Sequence, residues 1–468
     1  MTIRLTALVP ALLLAGCATF TPEPVGLPVT PPDHWEQTKH AGTAVEADWW
    51  RAFNETELDR LIEKALKANP NLAAMAESVI QADLQLRNAG AALLPSLSAT
   101  ASSGRQASRA TGDNTVTGGS TSAGLTMDYE LDLWGRLSAS EGSALATFEA
   151  TRFDYAAARI TLVAAVASTW FEWLELQQRI DIANINLELG ERTLALVEVR
   201  FRNGVASRAE LSRQQTSVLS LRNAVPPLEY QARQRLAALR VLIGDMPFAA
   251  EQPAADIASV TIPLISPQTP ANMVTRRPDL AAQEARLVAA SADIEQTRAA
   301  LLPSVSLSAA ARLSADGFLS LSDPVRSVNG LLSLSQALFD GGQRRNTVAI
   351  SESRRVALLE SYRGSLLTAL QEVGDALDRD ALYRLQEQRL QEILVKAEET
   401  LRLTEVRYRE GADELLTLLD SQRSVFEVRQ QLSQARLNRL IAAVDLYKAL
   451  GGGWNRDEEA QVTVRVQE

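Results

Sequence analysis

The sequence feature that most constrains the fold is an internal duplication. Residues 91–98 recur at 299–306 with seven of eight positions identical. Residues 193–204 recur at 400–411 with eight of twelve positions identical, at nearly the same offset. Matches in one order and at one spacing indicate a duplicated structural unit, because chance similarity between helical segments would not keep a common register.

The duplication predicts two structural repeats, residues 48–244 and 271–451, with the same anatomy. Period-two alternation of apolar side chains predicts four strands, at about 96–104, 120–132, 303–314 and 327–339. Apolar residues spaced by three and four predict two long helical hairpins, at about 138–243 and 344–450. A Pro-rich inter-repeat segment, 245–270, lies between the repeats, and a C-terminal tail, 452–468, follows the second.

The predicted helices are unusually long. The first helix of the first hairpin carries almost no Gly or Pro over about sixty residues, which corresponds to about 90 Å. A hairpin of this length has too little core to be stable alone, so it is expected to pack laterally against others. The return helix contains Pro226-Pro227, which predicts an interruption that the second repeat lacks.

The predicted strands have an apolar face and a polar face. In the second strand, Leu125, Met127 and Tyr129 alternate with Thr126 and Asp128. An open four-stranded sheet cannot lie in lipid, because its edges would leave main-chain groups unpaired. Two chains would supply eight strands, whose interior side chains fill, whereas three would supply twelve, enough for a water-filled lumen. The pattern therefore predicts a membrane barrel shared between copies.

Residues 1–16 are typical of a signal peptide, with Arg4 before an apolar stretch too short to span a membrane. The stretch ends at Leu14-Ala15-Gly16-Cys17, which resembles a bacterial lipobox. Cys17 is the only cysteine, so no disulfide framework is possible. Residues 17–47 are proline-rich and predict a tether. We therefore expect Cys17 to be the lipid attachment site. The resemblance to bacterial lipoproteins implies the outer membrane as the destination, because Ala18 stands where an inner-membrane retention signal usually has an aspartate.

Composition argues against nucleic-acid binding and against catalysis. The formal net charge of −10 is opposite in sign to what a phosphate backbone attracts. His34 and His40 lie in the predicted tether, and no constellation of nucleophile, base or metal ligands is recognisable. The sequence therefore predicts no enzyme activity, no cofactor, no metal and no nucleic-acid partner.

Taken together, these motifs resemble the outer-membrane efflux protein family, the TolC-like outer-membrane factors. The likeness is to the lipoprotein branch that serves resistance-nodulation-division pumps. It covers about residues 45–453. It is carried by the lipobox, the Trp49-Trp50 to Leu66 segment, the paired Leu-Leu-Pro-Ser motifs, Asp132-Leu133-Trp134-Gly135-Arg136 and the paired Arg-aromatic-Arg-x-Gly turns.

The resemblance implies a fold that is mainly α with membrane β. Three copies would form a twelve-stranded β-barrel in the outer membrane, continued by a twelve-helix α-barrel through the periplasm. The inter-repeat and terminal segments would form an equatorial belt. The implied partners are a periplasmic adaptor (membrane fusion) protein, an inner-membrane resistance-nodulation-division transporter and outer-membrane lipid.

The candidate functional residues lie at the turns of the long hairpins. The predicted adaptor-docking residues are Arg200, Arg202, Gly204, Arg407, Arg409 and Gly411. The resemblance places Tyr408 at a tip-locking tyrosine, Glu210 at the acidic position of the neighbouring helix and Asp420 at the narrowest part of the tunnel. The resemblance thus implies a gate formed by Tyr408, Glu210 and Asp420. Three Asp420 carboxylates around one axis would repel each other and concentrate cations, which supports a gate at this level.

One position departs from the family pattern. Some members carry a locking arginine after the second glycine, where this chain has Asp413.

The predicted function is the outer-membrane exit duct of a tripartite efflux pump that passes small molecules such as drugs. Two other functions fit the sequence. One is an exit duct for type I protein secretion, which the transporter encoded beside it would distinguish. The other is a helical surface lipoprotein scaffold without a channel, which a measurement of pore conductance would distinguish.

A first prediction concerns the N-terminus. We expect mature protein to begin at an acylated Cys17, and Cys17→Ala to be processed differently while still assembling. One acyl chain binds a membrane only marginally, so the anchor assists the barrel and does not replace it. Mass spectrometry of the envelope fraction checks this, and an unmodified Cys17 there would contradict it.

Overall fold

The computed structural model describes residues 45–108, 116–247, 256–265 and 275–456, together with Pro32, Trp35, Pro270 and Met273. The signal peptide, Cys17 and both histidines lie outside the described residues. After a 3-10 turn at Trp49–Phe53, the elements are α1 (Thr56–Ala68), α2 (Pro70–Ala91), β1 (Ser96–Ser108), β2 (Val116–Leu131), α3 (Arg136–Arg202), α4 (Arg208–Leu242), α5 (Pro278–Ala299), β3 (Ser304–Asp316), β4 (Val325–Ser335), α6 (Gln343–Arg409) and α7 (Leu415–Ala449).

The two repeats match element by element. Helices α3 and α6 have 67 residues each, and the return helices α4 and α7 have 35 each. Helices α2 and α5 both have 22 residues. The predicted duplication is therefore confirmed at the level of whole elements. No helix in the described ranges combines the length and the apolar character needed to cross a membrane.

The expected interruption at Pro226-Pro227 is wrong, because α4 runs unbroken through both prolines. A proline removes the main-chain donor to the carbonyl four residues earlier. Those carbonyls belong to Arg222 and Asn223, which are exposed and can bond to water instead. The prolines therefore remove hydrogen bonds without ending the helix.

The strands form one antiparallel sheet in the order β1-β2-β3-β4. Leu125 lies opposite Ala99 and Ala311, whereas Thr126 lies opposite Ser98 and Ala310. Since directly opposed residues share a face, the predicted apolar and polar faces are confirmed.

Three strand ends differ from the prediction by four residues each. The Gly-rich stretch between the first two predicted strands, 104 to 120, is paired as far as Ser108 and Val116. The last strand ends at Ser335, not at 339, because its partner β3 begins at Ser304, directly opposite.

The chain divides into two compact units. The first comprises Glu77–Phe153 and Ala281–Arg363 and contains the sheet. The second contains Asp154–Leu280, the chain from Gly364 and the segment around α1. Its core combines aliphatic side chains with several aromatic rings. Trp49 stacks on Tyr447 with ring centroids 4.8 Å apart.

In the second unit, each return helix ends on a glycine pressed against another main chain. Gly244 follows α4 with φ +74°, and a side chain there would clash with the carbonyl oxygen of Ala68. Gly451 follows α7 with φ +87°, and a side chain there would clash with the carbonyl oxygen of Arg276. In both repeats the glycine contacts the residue that lies two positions before the proline at the start of a helix. The two repeats therefore close in the same way.

Side chains complete this closure by bonding the last carbonyls of the return helices. Asn69 Nδ2 donates to the carbonyl of Leu242 over 2.8 Å. Arg277 Nη1, at the equivalent place in the second repeat, donates to the carbonyl of Ala449 over 3.3 Å. Such carbonyls have no partner inside the helix, so these bonds stabilise its end.

The described part of the inter-repeat segment is held by Arg436 on α7. Its guanidinium donates to the carbonyls of Ile257, Ala258 and Val260, each over 2.9 Å. Glu387, almost fully buried, accepts from the same guanidinium over 3.3 Å. This one side chain therefore fixes the path of the segment along α7.

We expect Gly451→Ala to lower thermal stability, because a methyl group meets the Arg276 carbonyl and φ is positive. A strained backbone position of this kind costs about 1–3 kcal/mol. The matched control is Gly374→Ala inside α6, where a methyl group meets nothing within 4 Å, and alanine should stabilise by about 0.5–1 kcal/mol. Circular-dichroism melting of both variants is the measurement, and equal midpoints would contradict the expectation.

Candidate functional site at the helical tips

Both hairpins turn on a glycine in the left-handed region, with φ +74° at Gly204 and +81° at Gly411. In the first turn, the amide of Val205 donates to the carbonyl of Arg200 over 2.9 Å. In the second, the amide of Ala412 donates to the carbonyl of Arg407 over 2.8 Å. Helices α3 and α6 therefore end in equivalent, glycine-dependent turns. We call residues 200–206 and 407–413 the first and second tip turns.

Tyr408, the second residue of the second tip turn, is buried. It is 2% exposed and clusters with Val197, Leu415 and Leu418. The Arg200 guanidinium lies 4.7 Å from the centroid of its ring, and Arg200 Nη1 donates to the Tyr408 carbonyl over 2.7 Å. A cation over an aromatic face is attracted by the ring quadrupole, more strongly where water is excluded. Arg200 therefore ties the end of α3 to the end of α6.

Glu210 forms the cap of α4. Its carboxylate accepts from the Ser207 amide over 2.6 Å, and the Ser207 hydroxyl accepts from the Glu210 amide over 3.2 Å. This reciprocal pair satisfies two main-chain donors at the helix start. The Ser207 amide bond lowers the pKa of Glu210 most, and the charges of Arg200 and Arg213 lower it further.

The two predicted gate residues Tyr408 and Glu210 make no hydrogen bond with each other within the described chain. The Tyr408 hydroxyl is buried without a partner among the described residues. Burial raises the pKa of this hydroxyl. The reason for the difference is local, because the Glu210 carboxylate is directed to the start of its own helix.

Asp413 has a partner that the sequence comparison missed. Arg407 Nε and Nη2 each donate to one Asp413 oxygen over 2.9 Å, a bidentate pair across the second tip turn. The hydrogen bonds from Arg407 lower the pKa of the Asp413 carboxyl. The departure from the family pattern is therefore a different closure of the turn. The sequence does indicate this pair, because Arg407 and Asp413 carry opposite charges and lie six residues apart across a glycine turn.

The remaining predicted site residues are exposed. Arg202 and Arg409 project from the two turns into solvent. Asp420 is exposed on α7, with Arg423 Nη1 at 3.8 Å from one of its oxygens. Among the described residues, no three His, Cys, Asp or Glu side chains could hold a metal ion. Of the predicted docking residues, Arg200 and Arg407 are therefore engaged within the chain, whereas Arg202 and Arg409 are accessible.

Two buried amides join the return helices to α3 and were not identified from the sequence. Gln214 Nε2 donates to the Gly190 carbonyl over 2.8 Å. Gln422 Nε2 donates to the Thr193 hydroxyl over 3.0 Å. The two glutamines are 208 residues apart, so the duplication itself could have revealed them.

Comparison with known proteins identifies similar chains over almost the whole length. The outer membrane efflux protein family matches residues 61–245 and 270–452. The pyoverdine export outer membrane protein OpmQ of Pseudomonas aeruginosa is 37% identical, covering 98% of this chain and 99% of its own. Outer membrane protein OprJ of the same species is 32% identical, covering 96% of each chain.

The same architecture occurs in a solved structure. The open state of the Neisseria gonorrhoeae MtrE outer membrane channel has a TM-score of 0.82 and 25% sequence identity. The match covers 94% of this chain and 98% of that one.

Proposed function

The chain belongs to the outer membrane efflux protein family, and on that premise we propose that three copies form the outer-membrane exit duct of a tripartite efflux pump. The observation that supports this most is the four-stranded sheet, in which β1 and β4 each pair with only one other strand. In lipid, an unpaired strand edge is too costly to persist. Pairing β4 of one copy with β1 of the next uses every edge, and three copies give a lumen wide enough for water.

The two faces of the sheet suit the two surroundings of such a barrel. Leu125, Leu332 and Leu334 are exposed on the apolar face and would contact lipid. Thr126 and Asp128 on the opposite face would line the lumen. A lumen lined by short polar side chains of this kind fits passive passage of cargo that the transporter selects.

We propose small molecules as the cargo. The relative OpmQ is a pyoverdine export protein, and pyoverdine is a small molecule, which favours this class of cargo over secreted protein. An acyl chain on Cys17 would add a second membrane attachment.

The exposed arginines Arg202 and Arg409, beside Gly204 and Gly411, are the proposed contacts for the periplasmic adaptor. The adaptor would in turn join the duct to a resistance-nodulation-division transporter in the inner membrane. Rigid helices that present short, charged turns are suited to such docking.

The direct test is conductance of the purified protein in planar bilayers, with two matched substitutions on β4 and β2. Leu332→Arg should reduce insertion, because a lipid-facing arginine near the midplane costs about 2–4 kcal/mol. Thr126→Arg should insert normally and change ion selectivity. Wild-type protein without conductance would favour the scaffold function, and equal tolerance of both substitutions would contradict the assigned faces.

We propose Tyr408, Glu210 and Asp420 as the gate, with the Arg200–Tyr408 contact joining the two tips. We expect Arg200→Leu to raise single-channel conductance, because it removes both the ring contact and the 2.7 Å bond between the tips. Tyr408→Phe is the control, since it keeps the ring and removes only a hydroxyl that has no partner among the described residues. Asp420→Ala should weaken cation selectivity. If Arg200→Leu assembles normally and conducts as the wild type does, the Arg200–Tyr408 contact does not close the channel.

A further inference from the structure

The apolar face of the sheet ends at an arginine. On this face, each strand contributes one side chain to a row, as the register defines. One row runs across the four strands, in which each residue lies directly opposite the next: Ala101, Ala123, Leu313 and Arg326. Along β1, Arg105 lies four residues beyond Ala101 and therefore on the same face.

The height of the apolar face matches a bilayer. From Leu131 to Ala123, the end rows of this face, the strand advances eight residues, or about 26 Å at about 3.3 Å per residue. A strand tilt of about 40° reduces this to about 20 Å, close to the apolar band of about 25 Å seen in membrane barrels. Arg326 then lies at the edge of the hydrocarbon region and Arg105 at the depth of the headgroups.

The opposite edge of the face is aromatic. Trp134 and Phe339 follow the ends of β2 and β4 and are exposed. Tyr129 lies near the same end, opposite Leu307 in the register. Aromatic side chains of this kind occupy the bilayer interfaces. Helices α2, α3, α5 and α6 all join the sheet at this end, so the arginines lie at the loop end. If the helices enter the periplasm, as the proposed function requires, the arginines face the outer leaflet.

The charges of these arginines are not neutralised by the described part of the chain. The side chain of Arg326 makes no hydrogen bond or ion pair with any described residue. The Arg105 guanidinium lies 5.4 Å from the centroid of the Phe318 ring. That contact orients the guanidinium without supplying a negative charge. A guanidinium at headgroup depth presents forked donors that match phosphate oxygens.

We propose that Arg105 and Arg326 bind the phosphate groups of anionic lipid in the outer leaflet. This inference rests on the proposed function, because it takes the orientation of the sheet from it. We call the two residues the outer basic collar. A zwitterionic lipid compensates its own phosphate with an ammonium group, whereas a lipid with uncompensated phosphates does not. The collar therefore selects anionic lipid at the barrel surface.

The test uses the full-length protein and native mass spectrometry. Wild type, Arg105→Gln/Arg326→Gln and Arg312→Gln are titrated with diphosphorylated lipid A and, separately, with phosphatidylcholine. Arg312 is the matched control, because it lies opposite Gly124 and Ser327 on the polar face, one residue from the collar row. The mass of the assembly and its conductance in phosphatidylcholine bilayers show that each variant is folded.

We expect lipid A to bind wild type more tightly than phosphatidylcholine does, and less tightly at high salt. In the collar variant, the affinity for lipid A should fall about fivefold for each of the two arginines removed from a chain. A fivefold change corresponds to about 1 kcal/mol. Arg312→Gln should bind as wild type does. Unchanged binding in the collar variant, or an equal loss in Arg312→Gln, would overturn the inference while conductance upholds the channel. Wild-type protein that neither inserts nor conducts would overturn the channel and the collar together.

Discussion

The structure depends on two places where one main chain lies directly against another. Each return helix has 35 residues, whereas the helix it follows has 67. The return helix therefore ends far from the start of the longer helix, and other contacts must fix its end. Gly244 and Gly451 allow the contact, and Asn69 and Arg277 bond the carbonyls that the helix leaves open. Burial alone would lower the pKa of Arg277, but Asp279 and Glu372 raise it, so the second repeat uses a charged side chain where the first uses the neutral Asn69.

Much of this fold could be predicted from the sequence, because its signals are periodic. The alternation around Leu125 and Thr126 defines both faces of the sheet, and the repeated motifs define the order of the elements. The ends of the strands were less predictable. Gly118 and Gly119 suggest a loop, but a strand continues wherever a neighbour supplies hydrogen bonds, and β1 supplies them here because it is paired as far as Ser108.

The contacts at the tips were harder to predict, because each joins residues from different repeats or across a turn. Arg200 and Arg407 occupy equivalent positions, 207 residues apart. In the second turn Asp413 binds its own arginine. In the first turn Ala206 stands at the equivalent position, which leaves Arg200 free to reach Tyr408. A single difference between the repeats therefore explains why two identical side chains make unrelated contacts.

This difference has a consequence for symmetry. A ring of three copies presents six helical tips at similar places, but they are of two chemical kinds that alternate around the axis. One kind has an arginine turned inward onto an aromatic ring, and the other has its arginine neutralised by a carboxylate. Six identical partner subunits could therefore meet the exposed Arg202 and Arg409 in the same way at every tip, but not Arg200 and Arg407. Contacts with that second pair would differ between neighbouring tips, so a partner that used them would repeat its preferred register every third of a turn.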